Sequence, residues 1–275
     1  MRLNHFRSVG AFLLLALLPA LQAQAQEAGG KTIFKYSIDL PSTYVFRGDD
    51  VFKAAYSTKN AGKETAFNVS PAVQPTFTFY TPSGVGFVVW GSFALTDRDT
   101  PGLGVARGCA VPPCPIGGLS DFDELDTTLN YTWENKMGSY EVGVVNYHQM
   151  GYFKGTHEMY LLWKLAWLED LGPTLGFYND AENSSSYSTL SVGGGTDFTW
   201  KVLLGEKHYM DTNNYSHAGL YEATVTLGYN LGEGFGVALA AANRPSMTMH
   251  GYTLPTTQPG TVAWLTLSYA KEVKE

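Results

Sequence analysis

Charge is scarce in this chain of 275 residues: Asp, Glu, Lys and Arg together make up 16% of it, where a soluble domain carries about 25%. Basic residues are the rarer sign, 18 against 25 acidic, and they form no stripe. A nucleic-acid partner needs clustered cations to neutralise phosphates, so the sequence argues against one. Long apolar runs are also missing. After the first 25 residues no segment is apolar enough to span a membrane as a helix, so a membrane-integral form would have to be a closed β-barrel. There is no Gly-x-Ser-x-Gly elbow, and the Gly193-Gly194-Gly195 run precedes a strand pattern, so it reads as a turn and not as a phosphate cradle.

Cysteine is nearly absent. The two present, Cys109 and Cys114, stand in Cys109-Ala-Val-Pro-Pro-Cys114 within a Gly- and Pro-rich stretch. No further metal ligands crowd them, and the spacing is longer than a C-x-x-C redox pair. The expectation is a disulfide that staples a loop after export. His208 and His217 flank Asp211 at a spacing that matches no tight metal motif, so neither a metal nor a cofactor is expected.

Glycine (30) and aromatic residues (14%) are abundant. Arg2 and Arg7 precede an apolar stretch from Ala11 to Leu21, and Ala23-Gln24-Ala25 supplies small residues for cleavage. Residues 1–25 therefore read as a cleaved signal peptide and 26–275 as the mature domain. A net charge of −7 bears on solubility and field, not on a site.

The mature sequence alternates with a period of two. Leu125, Thr127, Leu129, Tyr131 and Trp133 share one face, and Asp126, Thr128, Asn130, Thr132 and Glu134 the other. Tyr221, Ala223, Val225, Leu227 and Tyr229 oppose Glu222, Thr224, Thr226, Gly228 and Asn230. Val73, Phe77 and Phe79 oppose Gln74, Thr76, Thr78 and Tyr80, and Phe198, Trp200, Val202 and Leu204 oppose Thr199 and Lys201. A soluble β-sandwich would alternate too. Aromatic residues near strand ends (Tyr131 with Trp133, Trp163 with Trp167, Tyr221 with Tyr229) favour a barrel with membrane interfaces.

Connections carry the stronger argument. Tight turns at 81–84, 135–138, 169–171, 193–195 and 231–233 alternate with segments expected to be outward loops at 48–68, 97–121, 150–155, 179–184, 205–218 and 245–260. Between a first strand at 32–46 and a last at 261–270 this spacing predicts an all-β fold: a single antiparallel transmembrane β-barrel of about twelve strands with both ends on the periplasmic side of the bacterial outer membrane.

The run Ser42-Thr43-Tyr44-Val45-Phe46-Arg47-Gly48 resembles the opening motif of a proteobacterial outer-membrane β-barrel family, the Gcw-type conserved hypothetical proteins. Pro71-Ala72-Val73-Gln74 resembles that family's second strand, and Trp90-Gly91-Ser92 its third. Asp49-Asp50 departs from the pattern by opening a longer loop, and the chain ends in Lys274-Glu275 without a terminal aromatic residue. The resemblance implies a fold and a location and brings no catalytic residues.

If apolar faces meet lipid, the opposite faces line a lumen. The charged candidates there are Lys35, Asp39, Arg47, Asp126, Glu134, Glu158, Lys164, Lys201 and Glu222. Arg47 is expected to pair with a neighbouring carboxylate such as Asp49. Histidines at 148, 157, 208, 217 and 250 could in principle serve a lipid hydrolase, but Asn146-Tyr147-His148-Gln149-Met150 lacks the His-x-Ser-Asn step of the outer-membrane phospholipases. No enzyme is expected. The sequence favours a passive, porin-like channel for small polar solutes, with a closed barrel that presents its loops as the alternative, and outer-membrane lipid as surroundings.

Overall fold

The computed structural model describes residues 31–43, 45–47, 49–50, 71–95, 122–151, 156–180, 182, 185–210, 216–244, 248–249, 252–253 and 260–274. The expected signal peptide and the Cys109–Cys114 loop lie outside them.

The strands are β1 (Ile33–Pro41), β2 (Val45–Phe46), β3 (Asp49–Asp50), β4 (Ala72–Tyr80), β5 (Val85–Ala94), β6 (Phe122–Asn135), β7 (Gly138–Gly151) and β8 (Thr156–Leu165). After a short 3-10 segment (Ala166–Leu171) come β9 (Thr174–Asp180), β10 (Ser185–Gly195), β11 (Phe198–Met210), β12 (Ser216–Gly232), β13 (Phe235–Arg244), β14 (Thr248–Met249), β15 (Tyr252–Thr253) and β16 (Gly260–Lys274). Twelve of these close into one antiparallel barrel in the ring order β1-β16-β13-β12-β11-β10-β9-β8-β7-β6-β5-β4. The pairs β2/β3 and β14/β15 are small hairpins within connections. Strand count, closure and antiparallel pairing are those expected from the spacing of the sequence.

Every ladder of the barrel joins strands that are consecutive among its twelve except the seam, where β1 pairs with β16 from Ile33↔Lys274 to Pro41↔Thr266. That pairing draws β16 four residues beyond the expected end at Ala270. At the other end of the seam β1 stops at Pro41, where proline has no amide to donate, and not at 46 as expected. Ser42 then fastens the chain to β16: its amide donates to the Leu265 carbonyl (2.7 Å) and its Oγ accepts from the Leu265 amide (3.1 Å).

Both described chain ends and the short connections lie at one end of the barrel, the turn end. There Asn135 Oδ1 accepts from the Met137 amide (2.8 Å), and Gly138 follows with φ 142, a combination that closes a tight turn. Several expected connections need correction. Segments 150–155 and 179–184, expected as longer outward loops, are as short as the turns, because β7 runs through Gly151 and β9 and β10 are separated by residues 181–184 alone. The loop expected at 205–218 shrinks for the same reason, since β11 runs through Met210 and β12 starts at Ser216. The turns expected at 193–195 and 231–233 begin later, because β10 extends through Gly195 and β12 through Gly232. Residues 169–171, expected as a bare tight turn, belong to the 3-10 segment. Trp167 therefore stands exposed in that segment and not beside Trp163 on a strand.

The two faces of the wall are sorted by the pleat, which turns alternate side chains inward and outward. In β6, Leu129 is 60% exposed while Glu124, Asp126 and Asn130 are buried. In β16, Ala263, Leu265 and Leu267 are exposed while Val262, Trp264 and Thr266 are partly covered. Pairing carries the same parity around the ring, so Phe77, Phe87, Val144, Met159, Phe177, Leu190, Leu204, Val225 and Leu239 are all exposed and all outward. Buried polar side chains (Ser92, Glu124, Asp126, Glu158, Asp180, Glu222) all point the other way. No described helix is long and apolar enough to cross a membrane; the strands are the only elements available to do so.

Near the turn end the outward face carries a belt of rings. Tyr131 stacks on Trp133 (5.9 Å), Trp133 on Tyr140 (5.1 Å), and Tyr140 on Trp163 (5.6 Å), across three strands. Tyr269 continues the belt at the seam, against Phe235 (4.8 Å) and Tyr36 (6.1 Å). Amphipathic rings at one level are what a lipid–water boundary selects.

One strand breaks the period. Gly205 opposes Glu222 but Glu206 opposes Leu220, so Tyr221 is an extra residue in β12. Tyr221 and Glu222 are consecutive and both buried on the inside. The placement of Tyr221 on the outward face with Ala223 and Val225 is thus overturned by the bulge.

Candidate functional site

The interior of this barrel is polar, and its groups fall into layers. At the turn end, Lys35, Glu134, Lys164 and Lys201 occupy inward positions and are exposed. Lys35 Nζ pairs with Glu272 (2.5 Å) across the seam. Asp39 lies deeper on β1, opposite Gln74. Asp126, Glu158 and Glu222 are buried farther along, so all nine charged candidates from the sequence fall on inward positions or, for Arg47, inside the ring. The exposed turn-end group is mostly basic and the deeper group mostly acidic. Glu124, Glu141, Asp180 and Lys207 also sit on inward parity and were missed. The alternation that marked Glu158 and Lys201 would have found them.

The wall from β7 to β12 is built of tyrosine and carboxylate. Tyr160 donates to Glu141 Oε1 (2.5 Å), Tyr147 to Glu158 Oε1 (3.0 Å) and Tyr187 to Glu222 Oε2 (2.6 Å). Thr156 donates to Asp180 (2.9 Å) and Thr224 to Glu222 (2.7 Å). The tyrosines form a row along the wall: Tyr160 on Tyr178 (5.9 Å) and Tyr178 on Tyr187 (5.9 Å) over β8, β9 and β10, then Tyr187 edge-on to Tyr221 (6.3 Å) across β11. Such ring pairs stabilise by about 0.5–1.5 kcal/mol each. Two glycines make room for them. A Cβ at Gly143 would stand 2.7 Å from the Tyr160 ring, and one at Gly205 would stand 2.0 Å from the Tyr187 hydroxyl. Both rings lie flat along the wall only because the neighbouring strand has no side chain there.

Arg47 reaches this wall from the other side of the lumen. It stands at the tip of the β2/β3 hairpin, where Phe46 pairs with Asp49, and the hairpin springs from the Ser42–Leu265 anchor beside the seam. Round the ring β8 is five steps from β1 through β4 and seven through β16, so the two are nearly opposite. A twelve-strand ring is roughly 24 Å across between backbones. Arg47 Nη2 donates to both Glu158 oxygens (2.6 and 2.7 Å), and the guanidinium carbon lies 4.4 Å from the Tyr187 ring centre and 5.2 Å from that of Tyr178. A partner for Arg47 was expected nearby in sequence, at Asp49; the carboxylate it meets is 111 residues away, on a facing strand.

The tip is also conformationally unusual. Arg47 has φ 49, the left-handed region that costs a side-chain-bearing residue about 1–2 kcal/mol, in a two-residue hairpin where Asn, Asp or Gly is the ordinary choice. The strained backbone and the anchored guanidinium coincide at one residue. Histidines weighed as catalytic bases are elsewhere: His148, His157 and His208 are on the outward face near the loop end, and no group of metal-ligating side chains occurs among the described residues.

No family model matches the chain, and no curated protein does. Among solved structures it is similar to a KdgM porin (11% identity over 86% of this chain and 98% of that one, TM-score 0.49) and to a NanC porin (7% identity, 88% and 99%, TM-score 0.46). It is also similar to the COG4313 outer membrane channel from Pseudomonas putida F1 (10% identity, 89% and 96%, TM-score 0.42). The barrel itself is established by its strand pairing.

Proposed function

We propose that the chain is an integral outer-membrane barrel that works as a passive, porin-like channel for small polar solutes and favours cations. The observation that supports this is the inverted wall: exposed leucine and phenylalanine outside, buried carboxylates and hydroxyls inside, in strand after strand. Apolar groups stay outside only where the surroundings are lipid, and buried carboxylates are tolerated where water and donors reach them. The ring belt at the turn end marks one lipid boundary and orients that end towards the periplasm. Beyond Lys35, Lys164 and Lys201, a solute passes Glu141, Asp126, Glu158, Asp180 and Glu222, faced among the described inward positions by Arg47 and Lys207. A rim of acidic groups in a narrow water-filled bore raises the local concentration of cations. Membership of the Gcw-type family, cleavage after residue 25 and the absence of an enzymatic activity belong to the same reading.

Single-channel recording from the purified mature protein in a planar bilayer tests it. Conductance that prefers potassium to chloride, with the preference reduced in Glu222→Gln, is the expected result. A folded barrel that passes no current, with or without the Arg47 side chain, overturns the channel and leaves a closed barrel that presents its loops.

A further inference from the structure

The group that crosses the lumen is itself a small organic cation on a stalk. The part of its seat made by Glu158, Tyr178 and Tyr187 belongs to the wall. Glu158, Tyr178 and Tyr187 come from β8, β9 and β10 and are held by those strands' own ladders, with Tyr147 donating to Glu158 and Tyr187 to Glu222. Each of the three has wall contacts besides its contact to Arg47. A carboxylate beside two ring faces is a receptor for a planar or compact cation: the carboxylate takes the N–H groups and the rings take the charge from above. Arg47 satisfies both requirements, from a left-handed backbone position that the rest of the fold must hold in place.

We propose that Arg47 is a tethered occupant of a binding site for guanidinium or primary-amine solutes, and that a free solute of this class competes for the Glu158–Tyr178–Tyr187 seat, displaces Arg47 and opens the bore. This rests on the channel reading and names its solute class. The occupant then works as a selectivity device. Neutral and anionic solutes offer no cation to the seat and meet a lumen that Arg47 obstructs, whereas an organic cation replaces the obstruction with itself. Because the tether returns Arg47 at a fixed effective concentration, opening is graded with solute concentration and reverses on washout.

The test uses the full mature protein in planar bilayers, with Arg47→Gln, which removes the charge and keeps a shorter polar side chain, and Arg47→Ser as a second variant. Argininamide is the probe and propylurea, which carries a neutral urea in place of the guanidinium and no amine, is the control. In the wild type, millimolar argininamide is expected to raise the open fraction several-fold and propylurea to leave it unchanged. In Arg47→Gln and Arg47→Ser the basal conductance is expected to rise several-fold. Argininamide should then lower the current only to the level of the argininamide-opened wild type, since the free solute fills the seat in both, and adding Glu158→Gln to either variant should weaken that partial block at least tenfold. Wild-type and Arg47 variants that conduct alike and ignore argininamide overturn the tethered occupant while leaving the channel intact. A block that survives Glu158→Gln also overturns it, since the cation then binds elsewhere. No current from any variant, with strand content and heat-modifiable gel mobility showing a folded barrel, overturns the channel reading itself.

Discussion

Leu129 and Asn130 are neighbours in β6, yet the first is 60% exposed and the second 5%. The same contrast separates Leu239 from Ala240 in β13 and Met159 from Glu158 in β8, each time with the larger apolar group on the open side. A soluble sandwich shows the identical period of two with the assignment reversed. Alternation alone therefore fixes only that a strand has two faces. Which face is open tells what solvent each one meets, and here the outer one is suited to hydrocarbon and the inner one to water.

Substitutions can break that contrast, and the largest effect is expected at the outer face. Leu129→Arg should lower folding stability in bilayers by about 2–4 kcal/mol, whereas Thr128→Arg, one residue away on the inner face, should change it by less than about 1 kcal/mol. Equal unfolding midpoints for the two variants would mean that the faces are not what they are drawn to be. Next comes the ring belt: Trp133→Ala removes two stacked contacts and should cost about 1–2 kcal/mol by the same denaturation assay, while a null effect would detach the belt from the membrane boundary.

A sharper and smaller test addresses the bulge. Cysteine placed at Tyr221 should react with a charged, water-soluble thiol reagent through the lumen, and cysteine at Val225 should not. The opposite pattern would restore an unbroken period in β12. The smallest effect is expected at the seam, beyond Tyr269 at the turn end. There the ammonium groups of Lys274 (2.7 Å) and Lys35 (2.5 Å) hold the Glu272 carboxyl below its usual range. A depressed carboxyl stabilises the fold above its unfolded value and loses that contribution as pH falls through the folded one. Acidification should thus lower the thermal midpoint slightly, and Glu272→Gln should flatten that part of the response; an unchanged slope would remove the seam pair from the stability balance.

Much of this molecule was legible in its sequence because a barrel wall repeats one local rule. The faces of β6 and β11, the even number of strands and the common end for the chain termini all follow from alternation and turn chemistry, and the eight charged candidates other than Arg47 fall on inward positions for the same reason. What escaped were features that the local rule cannot carry. An extra residue in β12 is invisible without its partner strand, so Tyr221 was placed outside. Trp167 obeyed a strand pattern up to the point where the 3-10 segment took the chain out of the wall. The partner of Arg47 depends on ring closure, which brings β8 opposite β1; no spacing of 111 residues along the chain announces that contact.

The seam has its own consequence for how the molecule comes into being. All other ladders of the barrel join strands consecutive among its twelve, so each can form by adding the next strand to the last. The β1–β16 ladder alone joins residues such as Ile33 and Lys274, and it can form only after the final strand has been delivered. Until then the growing sheet has two open edges, at which stray strands could pair. The cylinder is thus completed in a single late event that closes the longest loop of any ladder, and the lumen, with Arg47 facing Glu158 across it, does not exist before that event.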